Sequence, residues 1–210
     1  MEKTALPETM EGAGLRLVRF HPDQARALYE VVALNRTRLE PYLPWVPEVL
    51  SVDDEEGALR RARQQWDARN EFSYVIFAGA SAVILGAIGV HHLVWEQDTC
   101  EIGYFVTAGA EGQGVVSRSV ALLEKVLFSL GFYRIEIRPR ADNTRSVAVA
   151  ERCGYRLDGC LRGSLIQGGL RRDMLVFSKL RGEPEAETGP PWEPRHTTLA
   201  QVSSDSTVSA

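Results

Sequence analysis

Glu111-Gly112-Gln113-Gly114-Val115-Val116-Ser117-Arg118 is the stretch on which the reading of this chain turns. Downstream of it, Val116, Val120, Leu123 and Leu127 recur at helical spacing, and Gly131 is placed to stop the helix. Upstream, residues 99–106 alternate as a strand does. The segment is therefore a glycine-rich connection from a strand into a helix. Glycines let main-chain N–H groups come close to an anion, with no Cβ in the way. The first turn of the helix adds unpaired N–H donors and the positive end of its dipole. Together these suit a diphosphate, and Arg118 supplies a nearby cation. A Walker loop is excluded because no Lys-Ser/Thr ends the stretch, and the GxGxxG spacing of a dinucleotide fold is absent. A tight connection remains the plainer reason for a Gly-x-Gly turn.

Working outward, residues 72–78, 82–94 and 99–106 read as three successive antiparallel strands joined by short turns at 79–81 and 96–98. Before them, Leu15 and Leu17 mark a short strand. Ala25, Leu28, Val32 and Leu39 mark a helix opened by Pro22. Pro41, Pro44 and Pro47 forbid a regular helix interior. Ser51, followed by Asp53, Asp54 and Glu55, predicts the cap of a second helix running to about residue 70. After the central helix come a strand at 134–138, a short helix at 144–152, and closing strands near 155–161 and 171–180. The order β-α-α-β-β-β-α-β-α-β-β is an α+β fold: a mixed sheet of about seven strands flanked by helices.

Five blocks of this chain resemble the Rim-type ribosomal-protein N-acetyltransferases of the GNAT superfamily. They are Glu101-Ile102-Gly103-Tyr104-Phe105-Val106, Gln113-Gly114-Val115-Val116-Ser117-Arg118, Arg134-Ile135-Glu136-Ile137-Arg138, and Asp142-Asn143-Thr144-Arg145-Ser146 with Glu151-Arg152-Cys153-Gly154-Tyr155; Leu43-Pro44-Trp45 is similar to a segment near the family's acceptor pocket. The resemblance spans roughly residues 14–180. It implies a GNAT fold, mostly antiparallel and twisted, and transfer of an acetyl group from acetyl-CoA to a primary amine, foremost a peptide or protein N-terminal α-amine. On that reading Phe105 and Val106 offer main-chain groups to the pantetheine arm, and Gln113, Gly114, Val115, Val116, Ser117 and Arg118 hold the diphosphate. Asn143 bonds the pantetheine or acetyl region, and Ser146 stands near the sulfur to protonate the leaving thiolate. Asn143 also suits a plain helix cap, and Ser146 an exposed first-turn hydroxyl.

Three departures from the family pattern matter. Glu111 replaces the usual Gln or Arg, and an acid there repels phosphate unless it turns outward, so it is left out of the site. Val116 is bulkier than the small residue or methionine often found at its position. The acid that many Rim-type enzymes carry after the Leu-Arg of the penultimate strand is missing from Leu161-Arg162-Gly163-Ser164-Leu165. Glu101 is then the leading candidate to take the amine's proton, with a structural carboxylate as the bland alternative. His91 and His92 come next, though strand neighbours point to opposite faces, so only one can line the cleft. With no third ligand in view they make a poor metal site, and no metal is expected. Tyr42, Trp45 and His91 are the acceptor-binding candidates, with residues around Gln167–Arg171; a buried tryptophan anchor is the alternative for Trp45. Direct attack in a ternary complex follows from the lack of any Ser-His-Asp or catalytic-cysteine pattern.

The remaining composition is consistent with this. Residues 1–181 carry 23 acids and 23 bases, so the net charge of −4 belongs to the C-terminal stretch, and nothing resembles the basic footprint of a nucleic-acid binder. The GNAT domain is expected over 1–181 and a flexible Pro/Ser/acid-rich tail over 182–210. No apolar run is long enough to cross a membrane. The start of the chain, polar and acidic from Met1 to Glu11, does not read as a signal peptide. Cys100, Cys153 and Cys160 form no CxxC pair and read as buried apolar residues of a reducing compartment. A cytoplasmic enzyme is expected, with a homodimer open from the family. Two other functions stay in view: acetylation of a small-molecule or antibiotic amine, and a non-catalytic CoA-binding sensor.

Overall fold

The computed structural model describes residues 3–183; from residue 184 onward the expected tail, with Trp192, lies outside the described residues. Strand β1 (Thr9–Gly12) turns through Ala13 and Gly14, both at positive φ, into β2 (Leu15–Arg19). Helices α1 (Ala25–Leu39) and α2 (Val52–Asp67) follow, then β3 (Phe72–Ala78), β4 (Ile84–Val94) and β5 (Thr99–Val106). Helix α3 (Val115–Ser129), β6 (Arg134–Ile137), α4 (Thr144–Arg152), β7 (Arg156–Gln167) and β8 (Leu170–Leu180) complete the order. The eight strands form one sheet, β1-β2-β3-β4-β5-β6-β8-β7. Strand β1 is the addition to the seven expected. Its Thr-Met-Glu-Gly sequence has too little alternation to announce a strand, and pairing with β2 defines it.

Local chemistry explains the helix ends. Ser51 Oγ accepts from Asp54 N at 3.1 Å and opens α2 as its cap. Helix α3 begins at Gly114 and closes by bonds from Gly131 N to Phe128 O and Phe132 N to Leu127 O, with Gly131 at φ +105°.

The sheet is covered on both faces, and β3 shows this directly. Tyr74 and Ile76 join the core under α3, with Val120, Leu123 and Leu127, while Val75 faces Ala25, Leu28 and Leu59 of α1 and α2. Val120, Leu123 and Leu127 are fully buried, each contributing roughly 1.5–3 kcal/mol. They pin α3, and with it the loop at its start, against the sheet.

Strand β7 continues well beyond its expected end near residue 161 and reaches β8 through a Gly168-Gly169 turn with both residues at positive φ. One junction decides what the fold can do. Strands β5 and β6 pair in parallel over Thr99–Glu101 and Arg134–Glu136, after which β6 stays with β8 and β5 runs on with that edge unpaired.

Candidate active site

The split between β5 and β6 opens into a cleft of about 1040 Å³. Its floor is the free edge of β5. Thr107 N bonds Leu85 O, and Gly86 lies opposite Val106, so the antiparallel alternation sends the main-chain groups of Phe105 to Ala87 of β4. Those of Tyr104 and Val106 face the split instead. This corrects the expectation for Phe105: it lines the cleft, but the main-chain groups on offer belong to Tyr104 and Val106. Arg38 of α1 donates to the Val106 carbonyl.

At one end of the cleft, Gly112 and Gly114 both adopt left-handed backbone (φ +70° and +69°), and a Cβ at either would meet nothing within 4 Å. Such conformations suit glycine. No side chain among the described residues caps the start of α3, so the first-turn N–H groups at Val115, Val116 and Ser117 are left for a ligand. Gly114, Val115, Val116 and Ser117 line the cleft. Gln113 and Arg118 do not. The Gln113 side chain donates to Gly109 O at 2.6 Å, and Arg118 donates to Ala13 O at 2.8 Å and to Gln113 O at 3.2 Å. Arg118 thus ties the loop to the β1–β2 turn and is not the supplementary cation expected of it.

The cleft's cations come from residues that sequence spacing did not mark: Arg38, Arg138, Arg140, Arg145 and Arg152, against Glu101 and Glu111. Glu111, expected to turn outward, lines the cleft. Arg38 pairs with it, and Arg145 Nη1 lies 3.0 Å from its Oε1. Its charge is thereby compensated, with arginine to spare for an anion. These arginines sit on α1, on the β6–α4 connection and on α4, so only the folded arrangement brings them together.

Asn143 caps α4, its Oδ1 accepting from Ser146 N at 3.2 Å, and it also lines the cleft. Ser146 Oγ lies 3.0 Å from the Tyr104 hydroxyl, which reaches across from β5. Burial raises the Tyr104 phenol well above the usual tyrosine range, the bond to Ser146 opposing it, so this pair carries its protons at neutral pH. Tyr104 was missed because a strand tyrosine next to glycine and phenylalanine looks like core.

Where β5 and β6 part, Glu101 meets both histidines: His91 Nε2 is 3.3 Å from Oε1 and His92 Nδ1 is 2.9 Å from Oε2. The expected alternation fails because the β4–β5 register shifts between His91 and Val94 and His92 takes φ +50°. The third acid or imidazole judged missing near the pair is present: one ligand-type atom from each of His91, His92 and Glu101 lies within 4.8 Å of the others. Burial works against the Glu101 charge, but the hydrogen bonds and charges of His91 and His92 outweigh it and hold the carboxyl below its ordinary range. Glu101 is therefore ionised at neutral pH.

Beside β5, Trp45 stacks obliquely on Phe105 with ring centroids 5.8 Å apart, and both Trp45 and Tyr42 keep more than a third of their surface exposed. Trp45 is a wall of the cleft, not a sealed anchor. The Arg140 guanidinium lies over the Tyr42 ring and bonds Gln167 Oε1 at 2.8 Å, while Gln167 Nε2 reaches Glu40 O at 3.1 Å. Gln167 therefore braces the end of α1, and none of residues 167–171 lines the cleft, whereas Leu165 and Met174 do. Among the cysteines only Cys100 is buried; Cys153 is half-buried and Cys160 exposed, and none lines the cleft. Burial pushes the Cys100 and Cys153 thiols up.

The family model for the acetyltransferase (GNAT) domain matches residues 14–156. The chain belongs to the GNAT acetyltransferase family. As such it is an acetyl-CoA-dependent N-acetyltransferase. Among curated relatives, the ribosomal-protein-serine acetyltransferase of Escherichia coli (strain K12) is 26% identical over 159 residues, covering 75% of this chain and 88% of that protein. Two solved structures share the fold. The microcin C7 self immunity acetyltransferase MccE, in complex with acetyl-CoA and AMP, superposes with a TM-score of 0.79 at 22% identity, over 83% of this chain and 97% of that one. RimL, a ribosomal L7/L12 alpha-N-protein acetyltransferase in complex with coenzyme A, gives 0.78 at 23% identity, over 82% and 98%. No described helix of this GNAT chain is long and apolar enough to cross a membrane.

Proposed function

We propose that this GNAT enzyme moves an acetyl group from acetyl-CoA to the α-amine at a peptide or protein N-terminus, by direct attack in a ternary complex. The observation that carries the reading is the split of β5 from β6, with an unpaired strand edge leading from an uncapped helix start to Glu101. The amides at 114–117 hold the diphosphate, assisted by Arg145 and Arg152. The Tyr104 and Val106 edge bonds the pantetheine arm as an added strand does. Asn143 supports that arm with the part of its amide not used in capping α4.

Acyl transfer needs a neutral amine, and an α-amine with a pKa of about 7.7–8.0 is partly neutral near pH 7. Glu101, ionised and oriented by His91, accepts the proton as the amine attacks the acetyl carbonyl. A main-chain N–H of the open β5 edge stabilises the oxyanion. When the tetrahedral intermediate collapses, the C–S bond breaks and Ser146, held by the Tyr104 hydroxyl, delivers a proton to the thiolate; solvent then reprotonates Ser146 and takes the amine's proton from Glu101. No cysteine lines the cleft and burial raises the Cys100 and Cys153 thiols, which speaks against a thioester intermediate on the enzyme. Tyr42, Trp45, Leu165 and Met174 form the apolar mouth that receives the acceptor. The named activity of the 26% identical relative favours a ribosomal-protein terminus, with a cytoplasmic site of action. The decisive assay follows thiol release from acetyl-CoA with N-terminal peptides and, separately, small-molecule amines. Peptides that each gain one acetyl group support the reading. Turnover only on small amines overturns the acceptor, and saturable binding without turnover on any acceptor makes the chain a sensor.

A further inference from the structure

Residues 91 and 92 are neighbours on β4, and a regular pleat would part their side chains. Three features bring them together on one carboxylate instead. The register slips beyond His91, and His92 adopts a left-handed φ of +50°, uncommon for a residue with a side chain. Gly103 leaves room for the His91 ring, since a Cβ there would lie 2.5 Å from its Cε1. One histidine is enough to orient Glu101; the second is recruited through an irregular backbone, and such irregularities gather at functional sites.

We propose that His91, His92 and Glu101 form a site for a zinc-class divalent cation. Their ligand atoms all lie within 4.8 Å of one another. Ligands bound about 2.0–2.1 Å from a tetrahedral zinc are about 3.3 Å apart; His91 Nε2 is 3.3 Å from Glu101 Oε1 and His92 Nδ1 2.9 Å from Oε2, so the ion meets the carboxylate across both oxygens. Two imidazoles and one carboxylate suit zinc, whereas magnesium and calcium prefer oxygen ligands. Each ring meets the ion with a lone pair, its proton residing on the other ring nitrogen. His92, 73% exposed, gives a path from solvent, and His91 and Glu101 line the cleft. Arg138 Nε lies 3.6 Å from Glu101 Oε2, but its guanidinium is already held by Glu136 at 2.6 Å. Occupation takes the carboxylate that the preceding section assigns to the amine's proton, so the ion is a reversible inhibitor; this last step rests on that assignment.

The test uses the full chain, stripped with EDTA and dialysed, titrated with zinc against a chromophoric chelator. Wild type binds one equivalent. Affinity falls roughly tenfold or more in His92→Ala and in Glu101→Gln. His21→Ala, which removes the other described histidine beside an acid, leaves it unchanged, and circular dichroism verifies each fold. Absence of stoichiometric zinc, or equal affinity in wild type and both site variants, overturns the site. In parallel, zinc abolishes thiol release and EDTA restores it. Zinc bound at one equivalent with turnover intact leaves the site standing and removes Glu101 as proton acceptor.

Discussion

Gly86→Ala tests whether the β5 edge is the surface on which the donor lies. Gly86 sits opposite Val106, and an added Cβ would stand 2.1 Å from Phe105 O and 2.8 Å from Val106 Cα. Both neighbours are main chain, so no side chain can swing away. Relief to ordinary contact separates β4 and β5 by roughly 1 Å at the point where β5 is free on its other side. Overpacking of this kind costs about 1–3 kcal/mol, or about 3–10 °C in Tm for a domain of this size. A misplacement of about 1 Å in a reacting geometry costs on the order of 100-fold in rate. The expected result at 20 °C is a folded protein whose kcat/KM for acetyl-CoA is down about 100-fold, by thiol-release kinetics beside a thermal melt. Gly159→Ala, whose Cβ meets nothing within 4 Å, serves as control and keeps wild-type kinetics. Wild-type Tm and kcat/KM in Gly86→Ala would refute the reasoning.

Three further outcomes follow. Gly114→Asp places bulk and a negative charge at the uncapped start of α3, so acetyl-CoA affinity by calorimetry drops more than about 100-fold; unchanged affinity contradicts the diphosphate placement. Glu101→Gln lowers kcat by about 10²–10⁴ with acetyl-CoA binding intact, and an unaltered kcat removes Glu101 from the chemistry. Glu55 lies buried on the face of α2 that carries Leu59, its Oε2 without a hydrogen-bond partner, and burial raises its carboxyl to about 7 from an ordinary 4.5. The fold favours the neutral acid, so stability is full below pH 4.5 and is lost as pH rises through 7. Glu55→Gln therefore gains on the order of 2–3 kcal/mol over wild type at pH 8 and nothing at pH 4, and denaturant melts showing a pH-independent difference contradict this.

Much of the site was legible because it is local. Gly112 and Gly114 announce a tight turn open to close approach of an anion, Ser51 and Asn143 announce helix caps, and Val116 to Leu127 announce the helix that the loop feeds. What was not legible depends on contacts distant in sequence. Arg38, Arg145 and Arg152 reach the cleft from α1 and from opposite ends of α4, and no spacing rule links them to Gly114. Glu111 was judged by its charge alone, whereas its two arginine partners lie 73 and 34 positions away. Strand parity assigned His91 and His92 to opposite faces, and a bulge overrode it. The same parity, read from the register with β4, moves the useful main-chain groups from Phe105 to Tyr104 and Val106. A period of two survives long strands but not the irregularities that shape a cleft.

The central claim is that bare amides at the start of α3 and the open edge of β5 together hold the donor. A crystal structure of the chain with coenzyme A tests it most directly. The account predicts diphosphate oxygens about 2.7–3.2 Å from the N–H groups of residues 114–117 and a pantetheine arm bonded to Tyr104 and Val106. Coenzyme A bound outside the β5–β6 split, or those amides satisfied by the protein's own side chains, would contradict it.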